Sequence, residues 1–161
     1  MDAAEDRAAL VGHVQRELPV PWRPEFRGGY PDEVEAALVD AMLSIRSRYG
    51  TSATTGVRGA VQRWRDERGV GGGRLDDLSR LAGVDGQALA GVLGNRQVLS
   101  GGLLKAEGIV SAATRLVATG VRTAADLDPS ELAHRRAYVG VKGLGEVTWS
   151  YLLMLLGRDG V

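Results

Sequence analysis

The chain has 161 residues, of which 44% are hydrophobic and 25% are charged, a composition typical of one soluble globular domain. Its 20 basic and 20 acidic residues cancel to a net charge of zero, and it contains no cysteine. The lack of cysteine excludes disulfides, thiolate catalysis and any cysteine-ligated zinc or iron–sulfur site. The two histidines, His13 and His134, are too few for a histidine-rich metal site and are predicted on helix surfaces.

Charge is distributed unevenly along the chain. Residues 1–40 carry four arginines and nine acids, whereas residues 46–74 carry seven arginines against Asp66 and Glu67. A neutral protein polarised in this way can present one basic face, although the same arginines also suit an ordinary solvated helix face. No stretch approaches the roughly 18 apolar residues that cross a bilayer. The acidic start lacks the basic region of a secretory signal, so we expect a cytoplasmic protein that does not contact membranes.

The first predicted elements are a helix and a connector within residues 1–30. Apolar side chains spaced by three and four residues predict an amphipathic helix over residues 3–18, which Pro19 and Pro21 end. The following proline-rich segment is expected to be extended, because residues before proline avoid the helical region. Trp22 in this connector is expected to be a buried anchor.

Helices are predicted through the middle of the chain. Pro31 begins one helix whose apolar face, starting at Val34, is expected to continue until Gly50. The next helix is capped by residues 51–55, carries Trp64 in the core and runs to about residue 68, before a glycine-rich loop at 69–73. Two short helices, 75–81 and 87–93, and a longer one, 103–120, follow. In the longer helix Lys105, Glu107 and Arg115 are expected to lie off the apolar face.

A corner rich in glycine separates the last two predicted helices. Asp128-Pro-Ser-Glu131 is expected to cap a helix from Pro129 to about residue 138, and residues 146–156 form a second helix that is apolar almost all round. Glycines 140, 143 and 145 between them indicate a tight turn. This pattern predicts a helix-hairpin-helix over residues 129–157, with its second helix at the centre of a bundle. A turn that merely packs is the alternative, and a nucleotide-binding loop is not favoured because no strand precedes it.

The predicted hairpin carries most of the candidate DNA-binding residues. Free N–H groups at the start of its second helix, together with the helix dipole, suit a phosphate oxygen better than a base edge. Lys142 would add one phosphate contact or would remain a solvated loop lysine. The candidate contacts are Gly140, Lys142, Gly143, Leu144, Gly145, Val147 and Thr148.

The segment Gly143-Leu-Gly-Glu-Val-Thr-Trp149, with Lys105-Ala-Glu-Gly-Ile109 upstream, resembles the helix-hairpin-helix (HhH-GPD) superfamily of base-excision DNA glycosylases, the endonuclease III relatives. The resemblance covers roughly residues 30–157. It implies an all-α barrel that clamps bent double-stranded DNA with one base flipped out, and a monovalent cation held by the hairpin carbonyls. No iron–sulfur cluster is expected, in contrast to endonuclease III itself. The resemblance also makes Arg46 the candidate wedge that fills the gap left by the flipped base, in place of an exposed arginine without a role.

No catalytic residue is identified. The resemblance places the superfamily's catalytic aspartate beyond residue 161, and Asp159 comes several residues too early. Bifunctional relatives carry a lysine directly after the hairpin where this chain has Val147, so lyase chemistry is not expected. Two explanations stay open. Either the chain ends before the aspartate of an active monofunctional glycosylase, or it is a DNA-binding relative without catalysis.

Taken together, these patterns predict a single all-α domain over residues 1–161, an orthogonal helical bundle with a C-terminal helix-hairpin-helix. The predicted function is binding of duplex DNA in the manner of a base-excision glycosylase, which in a bacterium would be associated with the nucleoid. The alternatives are a non-catalytic DNA-binding module and a helical interaction or scaffold protein. The neutral overall charge favours the last of these.

Overall fold

The computed structural model describes residues 29–50, 52 and 54–158, together with positions 9, 12, 13 and 16, which are helical. The predicted anchor Trp22, most of the proline-rich connector and Asp159 lie outside the described residues. Within the described part the fold is all-α, as predicted, with no strand beyond an isolated bridge between Val98 and Leu104. The helices are α1 (Val34–Leu43), α2 (Gly56–Arg68), α3 (Leu78–Ala82), α4 (Gly86–Leu93), α5 (Lys105–Ala118), α6 (Leu132–Val139) and α7 (Glu146–Leu155), with a 3₁₀ turn at Ala124–Asp126.

Helix α1 is the centre of the bundle and packs against α2, α3, α5 and α7. Every one of its residues is buried, including Glu35 and Asp40. The prediction of a helix with one apolar face that runs to Gly50 is therefore wrong on both counts. The helix ends at Leu43, because the carbonyls of Leu43 and Ile45 accept hydrogen bonds from the Lys105 ammonium and the chain turns there.

The buried carboxylate of Glu35 fits inside the bundle because α2 and the start of α3 supply its donors. Glu35 accepts from Trp64 Nε1 at 2.8 Å, from Arg68 Nε at 2.9 Å and from the Asp77 amide at 2.9 Å. Since a buried charge is tolerated only when its hydrogen bonds are satisfied, these partners tie α1 to α2 and to the start of α3. Trp64 is 2% exposed, which confirms its predicted core position.

Helix α7 is not the central helix that its apolar sequence suggested. It buries only Trp149, Leu152 and Leu155, while Val147 is 84% exposed. Helix α1 lies at the centre instead. In the sequence its two acidic residues indicated a helix that is partly exposed to solvent. No helix in the described part of the chain has the length and apolar character required to cross a membrane.

The first helix of the hairpin begins later than predicted. Asp128 does not cap it, because its carboxylate holds the amide and hydroxyl of Ser130 at 2.8 and 2.7 Å, and α6 begins at Leu132 with Glu131 as its cap. His134 is 8% exposed and its Nδ1 accepts from the Asp128 amide at 3.1 Å. The prediction of a surface histidine is therefore wrong at this position.

Candidate nucleic-acid interface

The corner between α6 and α7 is a tight turn fixed by glycine and threonine. Gly143 has φ +97°, and a Cβ there would lie 2.8 Å from Leu99 Cβ, so both the backbone conformation and the close approach require glycine. The Gly145 amide donates to Thr148 Oγ1 at 3.0 Å, and that hydroxyl donates back to the Gly145 carbonyl at 2.8 Å. The Leu144 amide donates to the Val141 carbonyl at 3.0 Å. The amides of Leu144 and Gly145, two of the predicted phosphate contacts, are thus already engaged within the turn.

The first turn of α7 carries the amides that are left for a ligand. Among the described residues, the amides of Glu146, Val147 and Thr148 donate no hydrogen bond. These are the orphan donors that every helix start presents. Glu146 is drawn aside by Arg135, with N–O distances of 2.9 and 2.7 Å, so its carboxylate is partly neutralised near them.

Gly140 and Lys142 have different roles in the corner. The Gly140 amide donates to the Arg136 carbonyl at 3.0 Å, and a side chain at this position would collide with the guanidinium of Arg115. Gly140 is therefore a packing residue at the end of α6. Lys142 is exposed, and its aliphatic part covers Gly101, where a Cβ would lie 2.8 Å from Lys142 Cγ.

The turn after α1, residues 44–47, presents Arg46 to solvent. Arg46 has φ +51°, the left-handed conformation that residues other than glycine adopt only when the surroundings impose it. Lys105 supplies that constraint from below, and with 2% exposure it contradicts the prediction that places it off the apolar face of α5. Its Nζ donates to the carbonyls of Leu43 and Ile45, to Ser47 Oγ at 2.8 Å and to Gln97 Oε1 at 2.7 Å. Burial lowers the pKa of Lys105, whereas the surrounding oxygens favour its protonated form.

A second cluster supports the same turn from the side of α7. The buried Asp40 accepts hydrogen bonds from Tyr30 at 3.0 Å, Tyr49 at 2.7 Å, Ser44 at 3.0 Å and Tyr151 at 3.4 Å. Burial, reinforced by the Asp40 charge, raises the pKa of Tyr30 and Tyr151, and raises that of Tyr49 to about 12. The network joins the end of α1 to α7 through side chains far apart in the sequence.

Three cavities border the Arg46 turn, and two of them also border the hairpin. One of about 410 Å³ lies between Arg46 and Gly143, and one of about 370 Å³ lies between Tyr49 and the pair Val147 and Thr148. The third, of about 500 Å³, lies between the turn and helices α2 and α4. None of the described residues lining these cavities is acidic, although the protein as a whole is neutral. The positive residues that line them are Arg46, Arg48, Arg63, Arg96 and Lys105.

The surface formed by the Arg46 turn, the start of α7 and the three cavities is called the basic face below. Its cavity linings contain no carboxylate, and Glu146 at the start of α7 is paired with Arg135. It contains residues that sequence reasoning did not single out, chiefly Arg48, Arg63 and Arg96. Their clustering depends on contacts between helices distant in sequence, and only the excess of arginine in residues 46–74 hinted at it. Among the described residues no group of histidine and carboxylate side chains could hold a metal ion.

A family model described as a domain of unknown function, DUF8548, matches residues 8–161. The chain belongs to this family. Comparison with curated proteins and with solved structures gives no significant match. The description of this family names no activity. The geometry of the basic face is therefore the basis for the function proposed below.

Proposed function

We propose that this protein binds duplex DNA in the manner of the base-excision glycosylases, with the hairpin on the sugar–phosphate backbone and Arg46 directed at the base stack. The observation that carries this proposal is that the Arg46 turn meets the hairpin around two cavities without carboxylate lining. Arg46 and Gly143 line one of them, and the other lies between the turn and the first turn of α7. An anionic polymer is favoured there because the amides, the helix dipole and guanidinium groups that form no ion pair with any described residue add to one another.

The hairpin is suited to hold a phosphate without reading sequence. Amide donors at a helix start bind phosphate oxygens through the backbone and are insensitive to the identity of the base. The lock between Thr148 and Gly145 fixes the direction of these donors before DNA arrives, so little ordering is needed on binding. Lys142 adds a cation at the edge of the turn, and its carbon chain is already packed on Gly101.

Arg46 is placed to act on the stacked bases. Its left-handed backbone lifts the side chain out of the bundle at the tip of the turn, and the ring of acceptors around Lys105 holds that backbone in place. The exposed apolar side chains of Val98 and Val147 line the cavities on the two sides of the turn. A guanidinium group flanked by apolar side chains can enter a base stack, because its plane stacks on aromatic rings.

A DNA-binding module without catalysis is the form of this function that the described side chains favour. Val147 stands where lyase relatives carry a lysine, and no carboxylate lines the cavity beside it in the described part of the chain. Excision of a base would need an additional carboxylate at this face. Incubating the protein with duplexes that carry uracil, an alkylated base or an oxidised base, and measuring free base, separates the glycosylase from the binding module.

Glu146→Pro tests the hairpin through a single backbone donor. We expect this variant to bind duplex DNA about tenfold more weakly than Glu146→Ala, the size of one charge-assisted hydrogen bond. Proline is compatible with the first position of α7, and the preceding Gly145, with φ −159° and ψ −168°, has the extended backbone that precedes proline well. Fluorescence anisotropy with a labelled duplex at low salt measures the difference.

The matched control is built into this pair of variants. Both remove the Glu146 carboxylate and its ion pair with Arg135, so they differ only in the amide donor and the proline ring. Glu146→Ala should bind at least as tightly as the wild type, because a negative charge near the phosphate is removed. Equal affinity of the two variants, with both folded by circular dichroism, would show that the hairpin amide does not contact DNA.

A further inference from the structure

We propose that the cavity between the Arg46 turn and helices α2 and α4 binds a phosphate of the DNA strand opposite to the one held by the hairpin. This inference rests on the proposed function and assigns a second anchor within it. The cavity, called the arginine cavity, has a volume of about 500 Å³. Its charged lining residues are Arg46, Arg48 and Arg63, and its lining contains no acid.

Arg63 is held in place by a carbonyl and not by a carboxylate. Its NH2 group donates to the Leu93 carbonyl at 2.6 Å, at the C-terminal end of α4. The guanidinium lies against Gly94, where a Cβ would be 3.3 Å from NH2, and the left-handed φ of +61° at Gly94 lets the backbone pass beneath it. A carbonyl fixes the orientation of the group without cancelling its charge. Arg63 thus presents remaining N–H donors in a fixed geometry, which a phosphate can accept from two at a time.

Two neighbouring arginines of α2 differ from Arg63 in having acidic partners. Arg65 pairs with Glu33 at 2.6 Å and Arg68 pairs with Glu35 at 2.9 Å, so both are neutralised within the fold. Within the described residues, Arg46, Arg48 and Arg63 form no ion pair. Three like charges around one cavity repel each other, and an anion in the cavity relieves that repulsion.

The position of the arginine cavity assigns it to the second strand. The cavities next to Gly143 and Val147 lie between the Arg46 turn and the hairpin, whereas the arginine cavity lies between the same turn and α2 and α4. The turn therefore stands between the hairpin and the arginine cavity. In a duplex the bases of one groove lie between two phosphate strands, so a residue inserted among the bases has one strand on each side. If the hairpin holds one strand, the arginine cavity faces the other.

The experiment compares the double variant Arg48→Gln/Arg63→Gln with the charge-matched control Arg74→Gln/Arg80→Gln. Arg74 and Arg80 are exposed and lie outside the arginine cavity, with only long contacts of 3.9 and 3.8 Å to carboxylates. Affinity for a labelled duplex and for its single strand is measured by anisotropy across a range of salt concentrations. We expect the Arg48/Arg63 variant to lose about tenfold or more in duplex affinity, and its slope against the logarithm of salt to fall by about one to two. Single-strand affinity and the control should change less than about twofold by the same reasoning.

Other outcomes overturn the inference in distinguishable ways. Equal losses for duplex and single strand would place the hairpin's own strand in the arginine cavity, and an unchanged duplex affinity would leave the cavity without a role in binding. In both cases a weakened Glu146→Pro variant would still uphold the proposed function. If the wild type binds no duplex at low salt, the proposed function and this inference fail together. Arg48→Gln alone, which keeps the Arg63 contact with Leu93, should show about a threefold loss and guards against misfolding of the double variant.

Discussion

Replacing Lys105 with methionine is expected to lower the free energy of unfolding by about 3 kcal/mol, because it removes the donor of one buried and three partly buried hydrogen bonds. The ammonium donates to Ser47 Oγ, Gln97 Oε1 and the carbonyls of Leu43 and Ile45, and it is 2% exposed. Methionine fills a similar volume but offers no hydrogen bond, so the loss reports the polar contacts and not a cavity. Urea unfolding followed by circular dichroism measures the change.

The only other lysine of the chain, Lys142, provides the control. Lys142→Met removes the same charge from an exposed position, so its free energy of unfolding should stay within about 0.5 kcal/mol of the wild type. Trypsin adds a local readout, since loss of the Lys105 contacts should expose the bonds after Arg46 and Arg48 to faster cleavage. A Lys105→Met protein as stable and as resistant to trypsin as the wild type would show that the ammonium does not hold the turn.

The Lys105 contacts connect the stability of the fold to the proposed DNA binding. Lys105 lies below the turn and would not touch DNA, yet it fixes the backbone that directs Arg46 outward. Losing that constraint frees Arg46 to leave the left-handed conformation, which costs of order 1–3 kcal/mol to maintain. Lys105 is thus a positioning residue, and its replacement should weaken duplex binding even under conditions in which the variant remains folded.

Local signals in the sequence were sufficient for several helices. The apolar spacing of α2 correctly placed Trp64 in the core, and Gly94 ends α4 in the left-handed conformation expected of a C-terminal glycine. These features depend on neighbours within a turn or two along the chain. The end of α2 near Arg68 and the glycine cap of α4 can be predicted from such neighbours.

The centre of the bundle could not be read in the same way. The groups that donate hydrogen bonds to the buried Glu35 lie 29 to 42 residues away in the sequence. Asp40 accepts a hydrogen bond from the Tyr151 hydroxyl, 111 residues away in the sequence. In the sequence these two acids made α1 look half solvated, whereas the uninterrupted apolar run made α7 look central. A carboxylate can be buried only where hydrogen-bond donors from distant parts of the chain reach it. No local sequence pattern contains those donors.

The candidate site was predicted in pieces and not as a whole. The glycine corner and Arg46 were identified separately, and the structure places Arg46 and Gly143 on the lining of one cavity. Arg63 was not identified, because on α2 it is one arginine among several and only its contact with Leu93 distinguishes it from the paired Arg65 and Arg68. A cluster assembled from five helices and their connecting turns has no signature at any one of them.

Raising the pH above about 10 is expected to destabilise the protein sharply, because burial raises the pKa of all four of its tyrosines. The pKa of Tyr138 and of Tyr49 rises to about 12, and that of Tyr30 and of Tyr151 rises as well. An unfolded tyrosine loses its proton near pH 10, whereas the folded protein keeps it, so the stabilisation is complete below pH 10 and is lost as the pH rises through the folded pKa. For the buried Tyr138 alone, the rise of the pKa from its usual value near 10 to about 12 corresponds to roughly 3 kcal/mol of stability lost between pH 10 and 12.

Tyr138→Phe isolates this contribution with little structural disturbance. The hydroxyl makes only a 3.4 Å contact with the Thr148 carbonyl, while the ring packs on Trp149 inside the hairpin with centroids 5.6 Å apart. Phenylalanine keeps the ring, so above pH 10 the free energy of unfolding of the variant should fall less steeply with pH, by about 1.4 kcal/mol per unit. Urea unfolding at several alkaline pH values, together with the ultraviolet absorbance of tyrosinate, measures both quantities. If the tyrosines of the folded protein titrate near pH 10 without loss of structure, the network around Asp40 does not shield them and cannot be what joins α7 to the Arg46 turn.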